Sequence, residues 1–130
     1  MKVLVDHNIE GQSVLLWGVL AAEGWLELVP LQRITFHEVG LPFDSSDRFV
    51  WRFAQAQEMV LLTGNRSMRG DDSLEQTLRE ENKPDALPVI TIAGLARLDE
   101  RGYRERCSMR LLEIMLDIDQ YRGTRRVFIP

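Results

Sequence analysis

The chain has 130 residues, a formal net charge of −4, 45% hydrophobic residues and 28% charged residues. This length predicts a single domain, residues 1 to 130, and this composition is typical of a globular protein with one core. The acidic balance excludes broad, non-specific binding to nucleic acid, which depends on many Lys and Arg contacts to phosphate, but it allows a local basic rim around an acidic site.

Two further features limit the class of protein. The longest apolar run, residues 14 to 22, is broken by Gly18 and is shorter than the roughly 18 residues that span a bilayer, so we expect no membrane partner. The N-terminus lacks a basic segment followed by an apolar one, so we expect a cytoplasmic protein. The single cysteine, Cys107, excludes an internal disulfide, and its place on an apolar helical stripe predicts a small core residue.

The N-terminal part of the chain predicts strands on either side of a buried helix. Residues 2 to 5 form a strand that is apolar apart from its first residue, as expected when both faces are covered. Residues 14 to 23 predict a helix that is apolar around most of its circumference. Residues 25 to 31 predict a second strand, interrupted by Pro30, and residues 34 to 39 predict a short edge strand or an irregular loop.

The middle of the chain continues the alternation of helix and strand. Acidic residues and serines at positions 44 to 47 predict the start of a second helix, whose apolar residues lie one or four positions apart. Residues 59 to 63 predict the third strand, and residues 73 to 81 predict a further helix. Residues 87 to 92, which are rich in Val and Ile, predict the fourth strand.

The C-terminal part completes the predicted architecture. Apolar residues at spacings of three and four predict a long helix over residues 102 to 121, and residues 126 to 129 predict a last short strand after Gly123. Strands that alternate with helices indicate βαβ units. We therefore predict an α/β fold, a three-layer α/β/α sandwich with a mainly parallel sheet of four or five strands.

Polar side chains are concentrated where this architecture places its ligand-binding edge. An open parallel sheet binds ligands outside the carboxyl ends of its strands, and the helices that follow those strands begin at the same edge. We expect a common pocket there. Its candidate residues are Asp6, Asn8, Asp44, Asp47, Thr63, Asn65, Asp71 and Asp72.

The residue types in this group predict a metal site. Hard cations such as Mg²⁺ prefer carboxylate oxygens, and a pair of close metals stabilises both oxygens in phosphodiester cleavage. Helix capping is the competing interpretation for several of these acids. Asp44 suits an N-cap, Asp47 suits the helix dipole, and Asp72 has capping-box spacing with Glu75.

Three segments together resemble a known family. The chain opens with Met-Lys-Val-Leu-Val-Asp-His-Asn; residues 40 to 47 read Gly-Leu-Pro-Phe-Asp-Ser-Ser-Asp; residues 60 to 66 read Val-Leu-Leu-Thr-Gly-Asn-Arg. Their order and spacing resemble the small prokaryotic branch of the PIN-like domains, over roughly residues 1 to 92. The resemblance implies a PIN-like fold and a Mg²⁺- or Mn²⁺-dependent ribonuclease, in many members the toxin of a toxin–antitoxin pair.

The resemblance also implies roles for individual residues. Carried over by position, Asp6 is a metal ligand, Asp44 or Asp47 is the second acid, and Asn65 stands where the family places its third acid. Asp71 and Asp72 are candidates to replace the missing charge. Substrate contacts are predicted for the remaining polar residues of this edge, Asn8, Thr63, Arg66 and Arg69.

The substitution at Asn65 leaves alternatives open, because an amide binds Mg²⁺ without contributing charge. The first alternative is a catalytically inactive PIN-like module that binds RNA or a protein, such as an antitoxin-like partner or a second copy of the chain. The second is a phosphate-binding α/β domain that uses the helix N-termini near Asp44 and Ser73.

Overall fold

A computed structural model gives the structure of residues 1 to 64, 70 and 72 to 130. Its centre is a five-stranded sheet in which every pair of neighbouring strands is parallel. The strand order is β2-β1-β3-β4-β5. The strands are β1 (Lys2–Val5), β2 (Gln32–Ile34), β3 (Val60–Thr63), β4 (Val89–Ile92) and β5 (Arg126–Ile129).

Helices cover both faces of this sheet, as the sequence predicts for an α/β sandwich. The α-helices are α1 (Glu10–Ala22), α2 (Trp25–Leu28), α3 (Phe36–Val39), α4 (Asp47–Ala56), α5 (Leu74–Glu81) and α6 (Arg101–Leu116). Helices α1 and α6 pack together on one face, where the Ser108 hydroxyl lies 3.3 Å from the Leu16 carbonyl oxygen. Helices α4 and α5 pack on the other face. Short 3₁₀ segments lie at His7–Ile9, Leu95–Asp99 and Ile118–Tyr121.

The apolar strands are buried because each strand presents alternate side chains to two helical layers. In β1, Val3 and Val5 pack under α1 and α6, whereas Leu4 packs on the side of α4 and α5. In β3, Leu62 and Leu61 divide between the same two layers. Within the described residues, no helix is long and apolar enough to cross a membrane.

The predicted second strand, residues 25 to 31, is wrong. Gly24 ends α1 in a left-handed conformation, with φ 80°, and the chain then forms the short helix α2, closed by a 2.8 Å bond from Val29 N–H to the Trp25 carbonyl. Strand β2 follows later, at Gln32–Ile34. A short apolar run fits a buried strand and a helical turn equally well, and Pro30 has no N–H to give to a sheet.

Two other element boundaries also differ from the sequence predictions. Residues 34 to 39 contain the end of β2 and the helix α3, whose capping box joins Thr35 and Glu38. The long C-terminal α-helix ends at Leu116, because a 3₁₀ segment takes over the last turn. Ser73, not Asp72, caps α5, since the Ser73 hydroxyl accepts the N–H of Gln76 at 3.2 Å.

Candidate functional site

The strand order reverses direction at β1, which has β2 on one side and β3 on the other. In open α/β sheets such a reversal leaves a crevice outside the carboxyl ends of the two central strands, and ligands bind there. Asp6 directly follows β1, and its N–H extends the ladder with a 2.9 Å bond to the Leu62 carbonyl. Thr63 is the last residue of β3. The fold therefore places both residues in this crevice.

Asp6 and Thr63 are joined by a short hydrogen bond. The Thr63 hydroxyl donates to Asp6 Oδ2 over 2.7 Å, and the Thr63 residue is only 1% exposed. The other Asp6 oxygen, Oδ1, accepts a longer contact of 3.4 Å from the Asn8 N–H, which caps the following 3₁₀ segment. Asn8 thus contacts Asp6 through its backbone N–H and also lines the cavity.

Asp47 reaches the same crevice from the start of α4. The hydroxyl of Ser46 already caps this helix by accepting the Phe49 N–H at 3.2 Å, so the Asp47 carboxylate is not needed as the cap. Instead, Asp47 Oδ2 accepts the Leu74 N–H at the start of α5, over 3.0 Å. This bond ties the beginnings of two helices to one carboxylate.

Asp6 and Asp47 line one small cavity of about 60 Å³. One water occupies roughly 30 Å³ of liquid volume, so the cavity has room for a cation and very few waters. The lining combines polar and apolar residues. The lining residues are Asp6, Asn8, Phe36, Phe43, Ser45, Asp47, Val50, Leu61, Thr63 and Leu74.

Two carboxylates in this cavity are candidates to hold a divalent cation. Mg²⁺ is usually held by one or two carboxylates, and Asp6 and Asp47 supply two to one cavity. Among the described residues there is no group of three or more His, Cys, Asp or Glu side chains placed to hold a metal. A cation at this site would therefore be bound mainly through these two carboxylates and water.

Two of the predicted acids are placed elsewhere. The exposed Asp44 lies in the turn before α4 and is absent from the lining of the cavity. Asp72 Oδ1 accepts a 3.1 Å bond from Arg48 Nε, which directs this carboxylate to the contact between α4 and α5. The remaining predicted residues lie outside the described part of the chain: Asn65, Arg66, Arg69 and Asp71.

An ion-pair cluster joins α4 and α5 outside the lining of the cavity. Arg48 bonds to Glu80 at 2.8 Å and also to Glu81, and Arg52 Nε bonds to Glu81 Oε1 at 2.7 Å. The hydrogen bonds that Arg48 donates to Glu81 and Glu80 raise its pKa, and the Arg52 guanidinium lowers the pKa of Glu81. The cluster joins the first turns of α4 to the end of α5, whereas the Asp47–Leu74 bond joins the starts of the two helices.

The sequence reasoning missed an aromatic pair on the rim of the cavity. The His7 and Phe43 rings are stacked, with centroids 4.0 Å apart and planes 7° from parallel. Phe43 carried a usable signal, because a large apolar residue between Pro42 and Asp44 in a polar turn is unusual unless it packs on a neighbour.

A larger groove, of about 640 Å³, lies beyond the amino ends of β3 and β4, where Glu58 and Leu87 precede those strands. Its size alone does not make it the better candidate, because α/β sheets bind ligands at the opposite edge. Its charged groups also include several that are already paired, such as Arg52 with Glu81. We therefore assign the candidate site to the smaller acidic cavity.

Comparison of the chain with protein-family models, with curated proteins and with solved structures finds no match.

Proposed function

We propose that the protein is a PIN-like ribonuclease that depends on Mg²⁺ or Mn²⁺ and hydrolyses phosphodiester bonds at the acidic cavity. One observation carries this proposal: Asp6 and Asp47, which are distant in sequence, line a single cavity where the strand order reverses. The family resemblance of the segments around both residues supports it. The same resemblance is the support for a toxin-like role in the cytoplasm with an antitoxin-like protein partner.

The two carboxylates and the Thr63 hydroxyl have separate roles in this proposal. Asp6 and Asp47 would hold the cation. When bound, a divalent cation lowers the pKa of a coordinated water and stabilises charge that develops on phosphate oxygens. Thr63 orients the Asp6 carboxylate by donating to Oδ2, and the Leu74 N–H fixes the Asp47 carboxylate in the same way. Both acids are thus held in place before any ligand arrives.

The test combines metal binding with cleavage. Mn²⁺ is titrated while the melting temperature is recorded, and cleavage of a single-stranded RNA is followed in the same buffer. At a hundredfold excess of metal over its Kd, binding stabilises the folded state by about 2.7 kcal/mol, which raises the melting temperature by several degrees. We expect Asp6→Asn to abolish both effects. Asp85→Asn, an exposed acid beyond the other edge of the sheet, is the matched control. Cleavage that survives Asp6→Asn contradicts the proposal.

A second pair of variants decides between the two candidate second acids. Asp47 lines the cavity and Asp44 does not, so Asp47→Asn should weaken Mn²⁺ binding far more than Asp44→Asn. Because Asp47 also accepts the Leu74 N–H, the amide variant retains an oxygen for that bond and limits damage to α5. Equal effects of the two substitutions would show that the cavity geometry does not determine metal binding.

The alternative function is an inactive PIN-like module that binds RNA or a protein. It is favoured by the hydrogen bonds that already engage both carboxylates and by the neutral Asn65 at the family's third acidic position. The same Mn²⁺ titration distinguishes the two functions. An unchanged melting temperature at millimolar Mn²⁺, together with measurable binding of RNA, would favour the inactive module.

A further inference from the structure

Phe43 presents a flat apolar surface at the mouth of the acidic cavity. Its side chain lines this cavity, yet the residue is 62% exposed. One face of the ring is covered by the His7 imidazole at a centroid distance of 4.0 Å. Phe43 thus combines a stacked partner on one face of its ring with a large exposed area at the mouth of the cavity.

The His7 ring of this stacked pair also contacts the core. The His7 ring lies 6.1 Å from the ring of Phe36, which is 2% exposed and belongs to the core under α4 and α5. His7 Nδ1 is also 3.4 Å from Glu10 Oε1. The imidazole thus lies between a buried phenyl ring and Phe43 and contacts both. An aromatic surface that is held in place before binding loses less conformational entropy when a ligand stacks on it.

The surrounding charge favours a neutral flat ligand over a phosphate. Phe43 is followed directly by the exposed Asp44, and the cavity that it lines contains Asp6 and Asp47. These carboxylates repel a phosphate group unless a cation neutralises the charge between them. Aromatic side chains stack on nucleobases without regard to sequence, because every base has a π-face. Bases are available for such stacking in single-stranded RNA, where they are not paired.

We propose that Phe43, supported by His7, is a subsite that stacks one unpaired base of single-stranded RNA beside the acidic cavity. This inference rests on the proposed function, which supplies RNA as the substrate. It adds one requirement: the nucleotide next to the phosphate that enters the cavity must be unpaired. Phe43 contacts the base, whereas His7 is a positioning residue that acts through the Phe43 ring.

The test measures RNA binding by fluorescence anisotropy in a buffer with Ca²⁺. The probes are a short labelled oligoadenylate and an oligonucleotide of the same length with abasic sugars. We expect Phe43→Ala to weaken binding of the oligoadenylate by about 5- to 150-fold, the range for loss of one base–aromatic stack, and to leave binding of the abasic probe unchanged. Phe43→Trp should restore binding. His7→Ala should give a smaller loss for the same probe.

Phe49→Ala provides the matched control, because Phe49 is 54% exposed on the neighbouring helix α4 but does not line the cavity. It should bind both probes as the unchanged protein does. Equal binding of the two probes by the unchanged protein, or equal losses from Phe43→Ala and Phe49→Ala, would overturn the proposal. So would a failure of the unchanged protein to bind oligoadenylate, the result expected if Phe43 instead contacts a partner protein.

The outcomes for this subsite and for the nuclease are separable. If base-dependent binding through Phe43 is present but Mn²⁺-dependent cleavage is absent, the subsite stands and the proposed enzymatic function fails. If Mn²⁺-dependent cleavage is present but its KM is the same for the unchanged protein and for Phe43→Ala, the nuclease stands and the stacking subsite fails.

Discussion

Replacing Thr63 with valine removes one hydroxyl group and leaves the shape of the side chain almost unchanged. The hydroxyl donates to the Asp6 carboxylate over 2.7 Å, and Thr63 is almost completely buried. A hydrogen bond to a charged group contributes roughly 1.5–3 kcal/mol to stability. Asp6 is half-buried, so water compensates part of the loss, and we expect a value near the lower limit, about 1.5 kcal/mol.

Urea unfolding at neutral pH measures this loss. With an m value of about 1–3 kcal/mol/M, the midpoint for Thr63→Val should fall by roughly 0.5–1.5 M. Thr77→Val is the matched control, because Thr77 is also fully buried but donates to a neutral acceptor, the Ser73 carbonyl, over 2.9 Å. Thr77→Val should lose less stability than Thr63→Val, within the roughly 0.5–1.5 kcal/mol typical of neutral hydrogen bonds.

A double-mutant cycle assigns the effect to the pair. In the Asp6→Asn background, Thr63→Val should lower the free energy of unfolding by about 1 kcal/mol less than it does alone, because the charged acceptor is already lost. The reasoning is refuted if Thr63→Val changes the free energy of unfolding by less than about 0.5 kcal/mol, the usual scatter of neutral substitutions. Additive effects of the two substitutions would refute it equally, because they would mean that the two side chains do not interact.

Further predictions for three residues concern stability and reactivity. Leu62→Ala should lower the free energy of unfolding in urea by about 2–5 kcal/mol, because Leu62 is fully buried in the central strand β3. A loss below about 1 kcal/mol would mean that the core collapses into the space that the missing side chain leaves. Burial raises the pKa of the Cys107 thiol to about 11 from 9.0, so the thiol should react with alkylating reagents only on unfolding. Because the unfolded thiol loses its proton first, stability should fall as pH rises from about 9 towards 11, and Cys107→Ala should flatten that slope. The Arg52 guanidinium lowers the pKa of Glu81 from 4.5, so this carboxylate stabilises the folded state above that pH and loses its contribution as pH falls through the folded pKa. Glu81→Gln should therefore reduce the acid dependence of stability, whereas an unchanged acid titration would show that water screens the pair.

The position of the acidic cavity explains why the predictions for Asp6, Asp47 and Thr63 concern the same site. Strand β1 is an interior strand at the point where the strand order reverses, so the residue after it lies at the crevice where ligands bind in such sheets. Asp6 is that residue. Its carboxylate contacts the end of β3, and the cavity beside it is closed by the starts of α4 and α5. A perturbation of any of these contacts should therefore change both stability and metal binding.

The coarse architecture could be predicted because its signals are local. Buried parallel strands are continuous apolar runs, and these marked β1, β3, β4 and β5 within one or two residues of their observed bounds. The same local signals failed for residues 25 to 31. A run of that length packs equally well as a helical turn or as a strand, and only contact with the rest of the core decides between them.

The candidate site could be predicted in part. Its edge followed from strand polarity alone, which brought Asp6 and Thr63 into consideration. The choice between Asp44 and Asp47 depended on where α4 begins, and Ser46 decides this by capping the helix. Phe43 was missed, because its role depends on a ring that lies far from it in the chain.

From the sequence alone, the alternation of helix and strand, the parallel sheet and its acidic edge were already determined, because hydrophobic periodicity and strand polarity act over neighbouring residues. Only the tertiary structure decided which side chains meet there. Thr63 bonds to Asp6 and Leu74 bonds to Asp47 across long separations in sequence. Such contacts depend on how packed layers orient each helix and strand, and local pattern carries no information about that orientation.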